Sequence, residues 1–287
     1  MTTPERLPDE LAAAYLELLD VGAVPGGVDE ATLRRLQVAH VGRVPYETLD
    51  IVLGRPPGID PIDSVRRIVG GRGGYCYHLN GAFSALLAWL GGDVTRHVAG
   101  VQRRGDDPPG PNGNHLGLTA RTQDGRQWLV DVGLGDGPAE PLPLAIGVHV
   151  QQSRRYRLAR STHAQDGWRF EHDPTGSFEG FDMESSNAAI GDFAQMHAYL
   201  STESGFARTV TAQRRVGGRI EILRGCVFTE VTQDKIRTQE ITDPADWWTL
   251  VIDRFRLAYG DLPRDERAAL WRRVLADHET WRAIQPS

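Results

Sequence analysis

Cysteine, histidine and aspartate together supply a thiol nucleophile, its base and the group that orients the base. This chain offers one of each in a consistent setting. Cys76 follows the run Gly70-Gly71-Arg72-Gly73-Gly74-Tyr75 and precedes apolar residues at helical spacing, Leu79, Phe83, Leu86, Leu87 and Leu90, stopped by Gly91 and Gly92. The glycines open backbone angles closed to other residues and let another group come close. A cysteine at such a loop-to-helix junction sits where unpaired helix N–H groups and the helix dipole favour an anion. Taken alone, it also reads as a small buried side chain beside a turn. His115 opens a strand after a Gly/Pro-rich loop, where its ring can face a cleft. Asp131 falls in the apolar pattern Trp128-Leu129-Val130-Asp131-Val132, where a carboxylate needs a partner. An imidazolium on the neighbouring strand would be one; capping the turn at Gly133-Leu134-Gly135-Asp136-Gly137 is another use for the same side chain.

The elements that must position these residues change period along the chain. Residues 9–20 carry Leu11, Tyr15, Leu16 and Leu19 at helical spacing, and a Gly/Pro-rich turn follows at 22–27. Asp29 can cap a second helix, with Glu30 and Arg34 as an i, i+4 pair, ending near Val44-Pro45. Residues 45–51 read as an extended or turn segment and 61–69 as a short helix. From 93 the pattern alternates. Strands are expected at 94–99, 115–120 and 127–133, the last two joined by an Asp124-Gly125 hairpin. Residues 106–114 are loop by composition. Further strands at 154–160 and 167–171 flank Asp166-Gly167, so 94 to about 172 reads as an antiparallel sheet or small barrel. The last third mixes a helix at 193–200, strands at 209–215, 219–223 and 227–231, and helices at 246–258 and 264–281. The expectation is an α+β chain divided at 1–92 (helical, carrying the nucleophile), 93–190 (β, carrying His115 and Asp131) and 191–287 (mixed).

Composition narrows the function classes. The chain has 287 residues, with 32 Lys and Arg against 38 Asp and Glu, for a formal charge of −6. That mild acidity gives no global attraction to nucleic acid or to a membrane surface. The apolar runs are far shorter than a membrane span. Met1 to Glu10 is polar and does not read as a signal peptide. Only Cys76 and Cys226 are cysteines, too few for a disulfide framework, so a reducing cytoplasm is expected. Cys226, in a strand pattern, reads as a buried bystander.

Arg72-Gly73-Gly74-Tyr75-Cys76-Tyr77, Asn114-His115-Leu116 and Leu129-Val130-Asp131-Val132-Gly133 together resemble the active-site segments of the arylamine N-acetyltransferase family. Val44-Pro45-Tyr46-Glu47-Thr48-Leu49-Asp50-Ile51 resembles that family's Ile-Pro-Phe-Glu-Asn-Leu-Asp segment. His197-Ala198-Tyr199-Leu200-Ser201-Thr202-Glu203-Ser204-Gly205-Phe206 resembles its Asn-x-Tyr-x-Ser-Thr-x-x-x-Ser-x-Phe segment. The segments follow the family's order and span almost the whole chain. The resemblance implies a helical first domain, a β-barrel second and an α/β third acting as a lid around a cysteine-protease-like Cys-His-Asp core. It implies ping-pong acyl transfer: Cys76 takes an acyl group, acetyl above all, from acyl-coenzyme A, and an arylamine, hydrazine or related amine then attacks the thioester. His115 would be the base, Asp131 its orienting partner, and backbone N–H groups including that of Cys76 would hold the oxyanion. Tyr75 and Phe206 would touch substrate. No metal and no resident cofactor are implied, acyl-coenzyme A being a co-substrate. Glu47 and Arg72 would form a buried pair bracing the catalytic loop.

The chain departs from the pattern in places. His78 stands where the family has Glu; at i+2 it points away from Cys76 and is expected to hydrogen-bond within the helix. Leu134 replaces a Phe, and His115-Leu116-Gly117-Leu118-Thr119 is less bulky than the usual run. These changes bear on the amine accepted. Two other readings keep the thioester chemistry: an amide synthase of a biosynthetic pathway using a carrier-bound acyl chain, and a thiol hydrolase of the transglutaminase or papain type with water as acceptor.

Overall fold

The computed structural model describes residues 6–24, 26–105 and 107–284. Residues 1–5 of the polar N-terminal stretch, Pro25 of the first turn and Asp106 of the Gly/Pro-rich loop lie outside the described residues. The chain opens with helices α1 (Asp9–Leu19) and α2 (Glu30–Arg43), the strand β1 (Tyr46–Glu47), and helices α3 (Leu49–Val52), α4 (Pro61–Val69) and α5 (Cys76–Trp89). Asp29 caps α2, accepting the Thr32 N–H at 2.7 Å, and Asp60 does the same ahead of Pro61 in α4. Helix α5 is different in kind: every residue from Cys76 to Ser84 is buried. A helix buried all round is a core element, and α5 has α4 on one side and a sheet on the other.

That sheet contains β2 (Asp93–Gln102), β3 (His115–Arg121), β4 (Gln127–Val130), β5 (Leu142–Pro143), β6 (Gly147–Gln151), β7 (Arg154–Arg160), β8 (Trp168–Glu171) and β9 (Gly180–Met183). Its order is β5-β4-β3-β2-β9-β8-β7-β6. The Asp124-Gly125 hairpin sets Leu118 opposite Val130 and Arg121 opposite Gln127. One apolar cluster gathers Ala99, Leu129, Leu142, Leu158, Phe170 and Phe181 from strands along the whole sheet, so it curls around its own face like a barrel.

The last third holds α6 (Ala194–Thr202), β10 (Thr211–Val216), β11 (Arg219–Arg224), β12 (Val227–Val231), β13 (Ile236–Glu240), α7 (Pro244–Thr249) and α8 (Arg264–Ile284). Its sheet runs β1-β10-β11-β12-β13. Strand β1 thus belongs to the first part in sequence and to this sheet in space, and Tyr46 also bridges to Gly74. The chain is α+β, as expected.

Several boundaries differ from expectation. The first sheet reaches Met183, beyond 172, because Gly180-Phe181-Asp182-Met183 is held as β9 between β2 and β8; pairing on both edges outweighs weak local propensity. Residues 45–51 contain both β1 and α3. Strand β4 stops at Val130, so Asp131 lies just past it. The helix expected over 246–258 is α7 followed by a wide turn, Leu250–Arg254, in which the Phe255 N–H donates to Leu250 O, five residues back, at 2.8 Å. Trp247, Val251 and Phe255 are all fully buried, and a wider turn keeps residues four apart on one face.

The helical core carries an unusual polar group. His40 is fully buried between Tyr15 and Phe83, and neither its ring nitrogens nor the Tyr15 hydroxyl meets a hydrogen-bond partner among the described residues. Burial pushes the His40 pKa down from 6.5 to about 3. Between those values the unfolded chain binds a proton that the folded chain refuses, so unfolding free energy rises with pH across the window. This stability is complete above 6.5 and is lost as pH falls toward 3. His40→Leu is expected to add on the order of 1–2 kcal/mol at neutral pH and to flatten the acid loss. Urea midpoints at pH 7 and 5 test this; an unchanged pH dependence would contradict it.

Candidate active site

The loop before the nucleophile is built around glycines that admit no side chain. A Cβ on Gly73 would lie 2.1 Å from Pro45 O and 2.7 Å from Glu47 Cγ, and one on Gly74 2.6 Å from His78 Cβ. The bracing pair is Glu47 with Arg67, not with Arg72. Arg67 Nη2 donates to Glu47 Oε1 at 2.6 Å and its Nε to Gly73 O at 2.7 Å. Arg72 instead stacks on the Tyr259 ring, 3.6 Å from its centroid, with Asp261 at 3.6 Å. Sequence reasoning chose the arginine inside the motif; the one that reaches Glu47 is a turn earlier, on α4.

Cys76 is the first residue of α5 and is 5% exposed. Its Sγ lies 3.7 Å from Asn114 O. Next along the chain, His115 opens β3, and its Nε2 is 2.7 Å from Asp131 Oδ2, with both side chains buried. The other ring nitrogen is left for the thiol, and Cys76 is among the groups that raise the His115 pKa. Burial alone would lower the His115 pKa. The Asp131 carboxylate, its hydrogen bond and the contact with Cys76 outweigh burial and raise it to about 10. The structure therefore brings Cys76, His115 and Asp131 together.

Asp131 does both things its sequence context allowed. Oδ2 holds His115, while Oδ1 accepts the Gly133 N–H at 2.8 Å and an Asn80 Nδ2–H at 3.0 Å. Asn80 also donates to Leu116 O and accepts the Val132 N–H. Gly133 packs on the nucleophile, for a Cβ there would sit 2.7 Å from Cys76 Cα. Gly133→Ala is expected to cost at least about 100-fold in kcat/KM, because backbone must move at the reacting atom. Steady-state rates beside circular dichroism separate this from unfolding; near-parental rates would contradict it.

Tyr75 and Phe206 also meet here, with ring centroids 5.7 Å apart. Tyr75 is fully buried and its phenol hydrogen-bonds His197; Phe206 is part-buried and lies near Tyr46. Burial raises the Tyr46, Tyr75 and Tyr77 pKa values, and the charge of an ionised Cys76 adds to it. His78 turns into the helix start as expected, its Nδ1 accepting the Tyr75 N–H at 3.3 Å. Burial, then Arg67, pushes its pKa down to about 3. Cys226 is fully buried, and burial raises its thiol to about 11.

Sequence reasoning gave no role to Asn80, Asn114, Tyr46, Tyr77 or His197. Asn80 had a usable signal, four residues after Cys76 on the same helix face. His197 stands in a segment that resembles the family pattern, at the place of its Asn, but its contact with Tyr75 arises from packing of α6. Among the described residues no group of three or more His, Cys, Asp or Glu could hold a metal ion, and no helix is long and apolar enough to cross a membrane.

The chain is similar to known proteins over most of its length. A family model described as N-acetyltransferase matches residues 29–261. Arylamine N-acetyltransferase from Mycolicibacterium smegmatis is 32% identical over 260 residues, 84% of this chain and 90% of that protein. Proansamycin X synthase from Amycolatopsis mediterranei is 38% identical over 149 residues, which cover 50% of this chain and 56% of that protein. The structure of Mycobacterium marinum arylamine N-acetyltransferase in complex with CoA superposes with a TM-score of 0.82 at 25% identity, covering 92% of this chain and 98% of that one. With a family model over most of its length and a relative aligned nearly end to end, this chain belongs to the arylamine N-acetyltransferase family.

Proposed function

We propose that this protein transfers an acyl group, acetyl in the first instance, from acyl-coenzyme A to an arylamine or hydrazine through a thioester on Cys76. The observation that carries the reading is the buried Cys76–His115–Asp131 constellation on a nucleophile at a helix start. In the first half-reaction His115 takes the thiol proton, and sulfur attacks the acyl carbonyl. The C–S bond to coenzyme A breaks, and the departing thiolate takes the proton back from His115. In the second, the amine nitrogen attacks the thioester and gives its proton to His115. The amide leaves, and the Cys76 sulfur recovers the proton. Asp131 keeps the ring oriented and stabilises its charged form. The N–H groups at the start of α5 face where the oxyanion forms, and Tyr75 and Phe206 line the acyl and amine space.

A second reading, with a longer carrier-bound acyl chain as donor, is favoured by the likeness to proansamycin X synthase over half the chain. Initial rates against both substrates decide. Parallel double-reciprocal lines with acetyl-coenzyme A and an arylamine support acetyl transfer by a ping-pong route. Intersecting lines overturn the ping-pong route, and turnover only with a long-chain acyl thioester moves the assignment to the second reading.

A further inference from the structure

Helix α6 buries only Leu200 and Ser201 of its own residues, too little apolar area to fix its seat unaided. It is fastened near the nucleophile by His197. The Tyr75 phenol hydrogen-bonds His197 Nδ1, and the two rings stack with centroids 6.0 Å apart. His78 takes the other end of the same residue. Its Nδ1 accepts the Tyr75 backbone N–H at 3.3 Å, and its ring stands edge-on to the phenol ring at 4.8 Å.

His78 Nε2 lies 3.4 Å from the Pro57 carbonyl. With Nδ1 accepting the Tyr75 N–H, the His78 proton sits on Nε2, facing that carbonyl. The His78 and His197 rings are 6.0 Å apart and nearly perpendicular. Tyr75 is therefore held at its backbone by α5 and at its phenol by α6, and Pro57 ties His78 to the loop before α4. Gly74 makes the arrangement sterically feasible, since a Cβ there would meet the His78 ring at 2.8 Å. Tyr75 directly precedes Cys76, and its ring packs against Phe206, which follows α6.

We propose that His78 and His197 are a pair of positioning residues that grip Tyr75, seat α6 and Phe206 against the residue next to Cys76, and thereby set which amines reach the acyl group. The last clause rests on the acyl-transfer reading above; the seating of α6 does not.

The test combines hydrogen exchange over residues 194–202 with steady-state kinetics on aromatic amines of increasing size. His197→Phe keeps a ring but removes the acceptor. It is expected to speed exchange across α6 about tenfold and to raise the amine KM about tenfold, with kcat changing less than about threefold. Tyr75→Phe removes the donor and speeds exchange equally, and the double variant is no faster than either single one, because one bond is lost in all three. His197→Gln, whose amide oxygen can accept the phenol proton, restores slow exchange and most of the KM. His78→Gln keeps an acceptor at the third helical position but loses the ring beside His197, and shifts both readouts the same way. Parental exchange in His197→Phe, or additive effects in the double variant, overturns the proposal. If no variant and no parent protein takes up an acyl group, the acyl-transfer reading falls by itself and exchange still decides the seating.

Discussion

Asp131→Asn is expected to lower kcat/KM for acyl transfer by about 10³–10⁴-fold while the protein stays folded. The reason lies in the pattern of donors around the carboxylate. Oδ2 faces His115 Nε2, and Oδ1 faces the Asn80 amide and the Gly133 N–H. A carboxylate accepts on both sides; a carboxamide accepts on one. With its oxygen toward His115, the new NH₂ group points at two donors. With its NH₂ toward His115, the ring must turn Nε2 into an acceptor and put its proton on the nitrogen that serves the thiol. The second orientation, which alone satisfies the Asn80 and Gly133 donors, leaves His115 unable to take a proton from sulfur. The variant also loses what holds the His115 pKa at about 10 against burial, so the ring becomes neutral at neutral pH. Single-turnover acylation rates across pH 5–10 would show both effects. Activity within tenfold of the parent would mean that Asp131 only shapes the turn at Gly133.

Glu47→Ala is expected to destabilise the protein by about 2–3 kcal/mol, below the full cost of breaking a buried ion pair because Asp50 still pairs with Arg67. Glu47 is 1% exposed. It accepts from Arg67 at 2.6 Å and from the Leu49 N–H at 2.6 Å, while its own N–H donates to Gly74 O at 2.9 Å. Arg67 in turn holds Gly73 O and, at only 13% side-chain exposure, has little access to water once the carboxylate is gone. The glycine loop thus loses its brace on one side, and on the other Arg67 keeps Asp50, which pairs with its Nη1, as its remaining carboxylate. A melting temperature lower by on the order of 10 °C, with acylation of Cys76 slowed even well below the transition, is the expected outcome. A loss below about 1 kcal/mol would show that Asp50 alone satisfies Arg67 and that Glu47 does not brace the loop.

Much of the site was legible because its chemistry depends on local signals. The glycine run, the helix pattern after Cys76 and the Asp124-Gly125 hairpin are all contiguous in sequence, and together they place the nucleophile on α5 and His115 on β3 beside Asp131. What was not legible depends on contacts between distant segments. Arg67 and Arg72 have the same side chain five residues apart, and only the docking of α4 against β1 decides which meets Glu47. Strand β9 has a glycine and an acid in four residues, and pairs with β2 across 80 residues of chain because Arg169 and Ser161 satisfy Asp182. The end of β4 at Val130 follows from the Asp131 side chain competing for the Gly133 N–H, the kind of local capping that ends a strand where an apolar pattern would extend it. His197 joined the site only through the packing of α6 on Tyr75.

The central claim is that Cys76 carries the acyl group between donor and amine, and intact-protein mass spectrometry after incubation with acetyl-coenzyme A and no amine tests it most directly. The expected result is one added acetyl group on Cys76, absent in Cys76→Ala, stable in buffer and discharged when an arylamine or hydrazine is added. An adduct that water removes within the dead time would make the protein a thiol hydrolase. No adduct with any short acyl-coenzyme A, while His115 and Asp131 remain in place, would contradict the acetyl-transfer account outright.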